Sequence, residues 1–180
     1  MGIAALPRRR YRWYLRPFFW NQQRKYGRVL ESALLWARSP RLFVAVALLY
    51  GALERRASPL EPALRSLLTV RVSQLNACRF CIDLNSALLD QRAGSPRRRA
   101  ALAHWRDSGE FSERERAALA YAEAVTGGEF PVNRQLLERL REFFDDDALI
   151  ELTALIAFQN LSSRFNSALD VPAQGFSELS

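Results

Sequence analysis

The stretch Ser58-Pro59-Leu60-Glu61-Pro62-Ala63-Leu64-Arg65-Ser66-Leu67-Leu68-Thr69-Val70-Arg71-Val72-Ser73-Gln74-Leu75 decides the fold class. Leu60, Leu64, Leu67, Leu68, Val72 and Leu75 recur at steps of three and four, the spacing that lines one face of an α-helix. Ser58 can cap a free amide, and Pro59 has no amide to leave unpaired, so the pair reads as a helix start. The same pairing recurs at Ser39-Pro40 and Ser95-Pro96. Ser112-Glu113-Arg114-Glu115 has capping-box spacing. Asn133 after Pro131, and the run Asp145-Asp146-Asp147, mark two more starts, the acids suiting the positive end of a helix dipole. Breaks fall at Arg55-Arg56-Ala57, Ala93-Gly94, Ser108-Gly109 and Gly127-Gly128. Leu136, Leu137, Leu140, Phe143 and Phe144 repeat the helical period. The expected helices span about 17–37, 40–56, 59–75, 78–93, 96–106, 113–126, 133–144 and 147–168.

Composition agrees. Leu and Ala supply 53 of the 180 residues and Val and Ile only 12, which favours helices, because β-branched side chains lose more freedom there. The length suits one domain. Leu42 to Leu53, and Leu149 to Leu161 apart from Glu151, Thr153, Gln159 and Asn160, are apolar nearly all round. Such helices must be central or covered by a partner chain, which points to a homo-oligomer. The 12 uncharged residues 42–53 fall short of the roughly 20 that span a bilayer.

Charge is uneven. Residues 1–28 carry seven Arg and Lys25 with no acid, and the remaining 152 residues sum to −1. The start is also aromatic, with Tyr11, Trp13, Tyr14, Phe18, Phe19, Trp20 and Tyr26. No apolar run follows Arg8-Arg9-Arg10, so a secretory signal is not expected, and a cytoplasmic protein is. Residues 1–28 read as a basic aromatic arm, 29–176 as the helical domain and 177–180 as a tail. The arm's rings can pack on the body or a neighbouring subunit with the arginines reaching water. They can instead give weak peripheral membrane contact through residues 7–28, with a helix from about Pro17 placing Phe18, Phe19 and Trp20 among the headgroups. Stacking on single-stranded nucleic acid is the third and least favoured reading.

Both cysteines lie in Asn76-Ala77-Cys78-Arg79-Phe80-Cys81-Ile82-Asp83-Leu84-Asn85. At this spacing each sulfur can reach the other across one helical turn. If a helix begins here, its free amides and Arg79 stabilise a thiolate. A redox dithiol is one reading. Half of a zinc site is another, with His104 the only other soft ligand and four ligands wanted. Two inert buried thiols are the third. No metal and no cofactor is expected. His104, alone in Ala101-Leu102-Ala103-His104-Trp105, reads as a surface or half-buried structural residue.

The segment Val70 to Asp83 resembles the core of the carboxymuconolactone decarboxylase-like proteins, the group that includes the alkyl hydroperoxidase D type. The similarity continues through Phe111 to Ala122, Leu152 to Phe158 and Arg164 to Leu169, and covers about residues 30–176. The resemblance implies an all-helical, single-domain, oligomeric fold. In the hydroperoxidase branch it also implies thiol-dependent reduction of a peroxide or disulfide, with a dithiol protein or small thiol as reductant. Family chemistry makes Cys81 the attacking thiol and Cys78 the resolving one, whereas local electrostatics alone favours Cys78. The branch's relay Glu and His fall at Ser66 and Asn85 here, and neither residue titrates near neutrality. Asn85 shares a stripe with Cys78, Cys81, Ile82, Leu88 and Leu89, so it can orient a thiol, water or oxyanion. Ser66, Asn76 and Arg79 complete the expected site lining. Lactone decarboxylation is disfavoured, since that branch works without the cysteine pair. The function expected is a thiol-dependent peroxidase or disulfide oxidoreductase of peroxiredoxin type, slower than relatives with the relay. The alternative is a non-catalytic oligomeric adaptor or redox sensor with a structural cysteine pair.

Overall fold

The computed structural model describes residues 3–94, 96–127 and 131–177. Among the described residues there is no strand, and nine α-helices follow one another with three short 3-10 turns. Turns Arg8–Arg10 and Trp13–Leu15 lead into α1 (Arg16–Tyr26), followed by α2 (Glu31–Trp36), α3 (Pro40–Leu53), α4 (Pro62–Leu75) and α5 (Arg79–Ala93). Next come α6 (Pro96–Ala101), the turn Leu102–His104, α7 (Glu113–Thr126), α8 (Arg134–Arg141) and α9 (Asp146–Ala168).

Local chemistry sets several helix ends. Ser112 Oγ accepts the Glu115 N–H at 3.3 Å, and the Glu115 carboxylate accepts the Ser112 N–H at 2.9 Å, completing the capping box of α7. Asn133 Oδ1 accepts from Leu136 N–H at 2.9 Å, and Asp145 Oδ1 from Ala148 N–H at 2.8 Å. Each such cap contributes about 1 kcal/mol relative to alanine.

Other expectations are corrected. The helix expected over 17–37 is two helices, because Gly27 turns left-handed at φ +71° and Leu30 is extended. Ser58-Pro59 starts no helix; α4 begins at Pro62, and Ser58 Oγ donates across the fold to Glu151 at 2.8 Å. Pro40 does open α3, but the Ser39 side chain makes no capping bond. The helix expected over 96–106 covers six residues and tightens into a 3-10 turn. Ser95 and Gly128 lie outside the described residues.

The centre is α4, packed against α5, α7 and α9. Leu64, Leu67, Leu68, Val70 and Val72 are all buried. Buried polar groups of α4 find partners inside the fold: Arg65 donates through Nη1 to the carbonyls of Leu53 and Arg55 at 3.3 and 3.1 Å, and Ser73 Oγ to that of Thr69 at 2.5 Å. The apolar helix α3 is not central, since Leu42 and Leu48 are 54% and 67% exposed. α9 buries Leu152, Leu155 and Ile156 while leaving Ile150 and Leu161 exposed.

Buried residues form two clusters. The larger surrounds α4. The smaller gathers Tyr11, Leu15 and Phe19 with Ala33, Leu35, Phe43, Phe80 and both cysteines. The Tyr11 hydroxyl accepts from Leu6 N–H at 2.9 Å and donates to the Leu34 carbonyl at 3.0 Å. The N-terminal segment therefore packs on the body through one stripe. Phe19 belongs to that stripe, so the expectation that it meets headgroups is corrected.

Candidate active site

A Schellman arrangement at the end of α4 delivers the first cysteine to the start of α5. Ala77 N–H donates to the Gln74 carbonyl and Cys78 N–H to the Ser73 carbonyl, both at 3.0 Å. Ala77 takes a left-handed φ of +49°, a conformation that costs a side-chain-bearing residue about 1 kcal/mol. Cys78 then caps α5, its Sγ accepting the Cys81 N–H at 3.2 Å. One turn on stands Cys81, joined to Cys78 by a disulfide with the Cα atoms 5.3 Å apart. In the dithiol form, the amide and the positive end of α5 favour a thiolate at Cys78.

A cavity of about 400 Å³ lies against Cys81, and Cys78 is not in its wall. Rings from five helices line it: Phe18 and Tyr26 of α1, Trp36 of α2, Phe43 and Tyr50 of α3, Phe80 of α5 and Phe158 of α9. Lys25 contributes a cation, and among the described residues no carboxylate lines the space. Asn166 Nδ2 donates to Cys81 Sγ at 3.3 Å, while Asn166 Oδ1 accepts from the Ser32 hydroxyl at 2.7 Å. Asn85 Nδ2 and Gln159 Nε2 both donate to Ser73 Oγ, at 3.1 and 3.0 Å. Tyr26 and Tyr50 interact through their hydroxyls, and burial outweighs that contact at Tyr26 to raise its phenol. Burial likewise raises Tyr50. These phenols are therefore donors at neutral pH. The surroundings of Cys81 can orient a substrate and donate hydrogen bonds, but the amides and hydroxyls near the sulfur do not titrate near neutrality.

Of the residues expected at the site, Cys81 and Asn85 line the cavity and Cys78 sits directly behind. Ser66 is buried elsewhere on α4, its Oγ accepting from Arg92 at 3.0 Å beside the Arg92–Glu54 ion pair. Asn76 donates to Asn160 Oδ1 at 2.7 Å, tying the end of α4 to α9. The Arg79 guanidinium points outward to Asp170 at 2.8 Å. None of these three lines the cavity. His104 is exposed on its turn, and among the described residues no cluster of three or more His, Cys, Asp and Glu side chains could hold a metal.

Sequence reasoning missed Asn166, Ser32, Ser73 and Gln159. Gln159 had a signal, because it interrupts an apolar run where an unpaired amide would be costly. Ser32 had none, since its partner is 134 positions away.

Residues 40–124 match the carboxymuconolactone decarboxylase family. The uncharacterized protein YnjA of Escherichia coli (strain K12) is 48% identical over 161 residues, 89% of this chain and 88% of that protein. The solved alkylhydroperoxidase AhpD core of an uncharacterized peroxidase-related protein from Ralstonia eutropha JMP134 superposes with a TM-score of 0.86 at 26% identity. The match covers 98% of this chain and 96% of that one. The debrominase Bmp8 shares the fold at a TM-score of 0.85 and 22% identity, over 98% and 94% of the two chains. The dithiol, the all-helical architecture and these similarities converge: the chain belongs to the carboxymuconolactone decarboxylase family, in its alkylhydroperoxidase D type.

Proposed function

We propose that the chain is a thiol-dependent oxidoreductase that reduces an apolar peroxide, with Cys81 attacking and Cys78 resolving. One observation carries the order: Cys81 faces the cavity while Cys78 lies behind it, within bonding distance. The Cys81 thiolate attacks the distal peroxide oxygen and breaks the O–O bond. Cys81 becomes a sulfenic acid, and the alkoxide takes a proton to leave as alcohol. Cys78 then attacks the sulfenic sulfur, water leaves and the disulfide forms. An external dithiol returns both thiols by exchange. In sum, two thiols and one peroxide give a disulfide, an alcohol and water. The aromatic lining favours a bulky organic hydroperoxide over hydrogen peroxide, since each buried apolar group adds binding. A disulfide substrate would be opened by the same attack. With amides and hydroxyls as the described polar groups near the sulfur, turnover is slow compared with a site holding a titrating relay.

Peroxide consumption with a dithiol reductant tests this reading. Activity should vanish in Cys81→Ser, and Cys78→Ser should trap a sulfenic acid detectable by mass spectrometry. Absence of turnover with hydrogen peroxide, organic hydroperoxides and small disulfides alike would leave the non-catalytic adaptor reading standing. Bmp8, in complex with 2,3,4-tribromopyrrole, is a reminder that halogenated rings belong in the substrate panel.

The exposed apolar face of α3 supports a homo-oligomer, since Leu42 and Leu48 form part of a surface that water disfavours. Leu48→Arg should then lower the mass measured by light scattering. An unchanged mass would remove α3 from the interface.

A further inference from the structure

The sequence confines its excess charge to residues 1–28, and the structure divides that segment into two faces. At 100° per residue, Phe18, Asn21, Gln22, Lys25 and Tyr26 of α1 share one side, and all five line the thiol cavity. Arg16, Trp20, Gln23 and Arg24 lie on the opposite side. There, Arg8, Arg9, Arg16 and Gln23 surround a cleft of about 350 Å³ with Tyr11, Phe19 and Trp20 as its apolar walls. Among the described residues, none of Arg8, Arg9, Arg10, Arg12 and Arg16 has an acidic partner. Trp13 and Trp20 are 75% and 65% exposed, and Arg24 lies over the Trp20 ring at 5.8 Å from its centroid.

Unpaired guanidiniums converging on a cleft suit a phosphate, because the planar donor fork matches phosphate oxygens. The exposed Trp20 indole beside them, with Trp13 exposed on the same segment, suits the boundary between headgroups and acyl chains, where a ring can bury its body and keep its N–H wet. A soluble phosphate would use the arginines but give the two indoles nothing to bury. We propose that this surface docks on an anionic membrane, with a lipid phosphate seated between Arg8, Arg9 and Arg16 and with Trp13 and Trp20 entering the interface. The docking reading stands independently of the peroxide chemistry.

The test is cosedimentation of the full chain with phosphatidylcholine vesicles, with and without phosphatidylglycerol, at low and high salt. Binding should require phosphatidylglycerol and weaken with salt. The triple substitution Arg8→Gln, Arg9→Gln and Arg16→Gln should lower vesicle affinity roughly a hundredfold, at about fivefold per cation. Trp13→Ala with Trp20→Ala should lower it further and abolish any lipid-induced blue shift of tryptophan emission. Arg→Lys at the same three positions keeps the charge but removes the fork, so binding should fall less than in the Gln variant and still require phosphatidylglycerol, which holds the test open if the Gln variant misfolds. Equal binding to uncharged vesicles, or binding unaffected by the Gln substitutions, would overturn the proposal. So would displacement of the protein by millimolar inorganic phosphate or by a single-stranded oligonucleotide, or a loss of oligomer mass in the Gln variant.

Discussion

Asn166 donates an amide hydrogen bond to Cys81 Sγ at 3.3 Å, from the first turns of chain after the polar pair Ser162 and Ser163 on α9. It is the one side-chain donor on that sulfur among the described residues, and its own oxygen is held by Ser32 at 2.7 Å. A hydrogen bond to an anion stabilises it by about 1.5–3 kcal/mol. Asn166→Leu should therefore disfavour the Cys81 thiolate and slow alkylation of the reduced protein at neutral pH by about tenfold or more. Asn166→Asp places a carboxylate there and should slow it further. A maleimide rate-against-pH profile of the reduced protein reads both, and superimposable profiles would show that the contact does not tune the sulfur.

Leu15 is fully buried in the cluster that contains both cysteines. Leu15→Ala should cost about 2–5 kcal/mol. It should also loosen the α1 wall of the cavity, so Cys81 becomes more accessible to bulky alkylating agents. Denaturant unfolding gives the first quantity and the rate ratio of large to small maleimides the second. A loss of stability with no change in that ratio would mean that α1 does not gate the sulfur.

Ala77 holds a left-handed φ of +49° between α4 and α5. Glycine adopts that conformation without the Cβ clash, although it loses more freedom on folding. Ala77→Gly should be stabilising by about 0.5–1 kcal/mol, or about 1–4 °C in Tm. Ala77→Val should be destabilising by more than that. Thermal unfolding of oxidised protein decides it, and a lower Tm for the glycine variant would contradict the strain argument.

Two buried carboxylates predict how acid unfolds the chain. Burial pushes Glu123 up, but hydrogen bonds from Arg106, Trp105 and Arg71 outweigh it and hold the carboxyl below its ordinary range. Asp83 behaves alike: burial raises it, and the N–H groups of Ser177, Phe176 and Gln174 with the Ser177 hydroxyl bring it down. Because both folded pKa values are depressed, their stabilisation is complete above about pH 4, the unfolded range. It is lost as pH falls through the lower folded values. Glu123→Gln should cost about 3 kcal/mol at neutral pH by leaving Arg71 short of its counter-charge, and should flatten the acid dependence. Asp83→Asn should free residues 174–177, seen as faster amide exchange there. An unaltered acid transition in both variants would place the acid sensitivity elsewhere.

The parts legible in the sequence are those whose physics is local. Ser112, Asn133 and Asp145 cap their helices because each needs only an amide three residues away. The cysteine pair was legible for the same reason. Ser58 misled because its hydroxyl serves Glu151, 93 residues on. Gly27 was visible but its left-handed turn was not anticipated. For α3 the sequence left open a central place or cover by a partner chain, and its exposed leucines remove the first. Arg65, Ser66 and Ser73 make α4 look more polar than α3, yet all three are buried with partners. The Asn166–Ser32 contact depends on packing between distant segments, which no period or motif encodes.

The cavity is assembled from two parts of the chain. Both cysteines and Asn85 fall within residues 40–124, the portion matching the family. Phe18, Lys25, Tyr26, Ser32, Trp36 and Phe158 lie outside it, as does Asn166 behind the sulfur. Substitutions in the two flanks can reshape what the cavity admits while the dithiol and its capping geometry stay fixed. The flanks also reach the sulfur itself, since Ser32 holds the Asn166 side chain that donates to Cys81, so grafting residues 1–36 between relatives should alter both the shape of the cavity and the surroundings of the Cys81 sulfur.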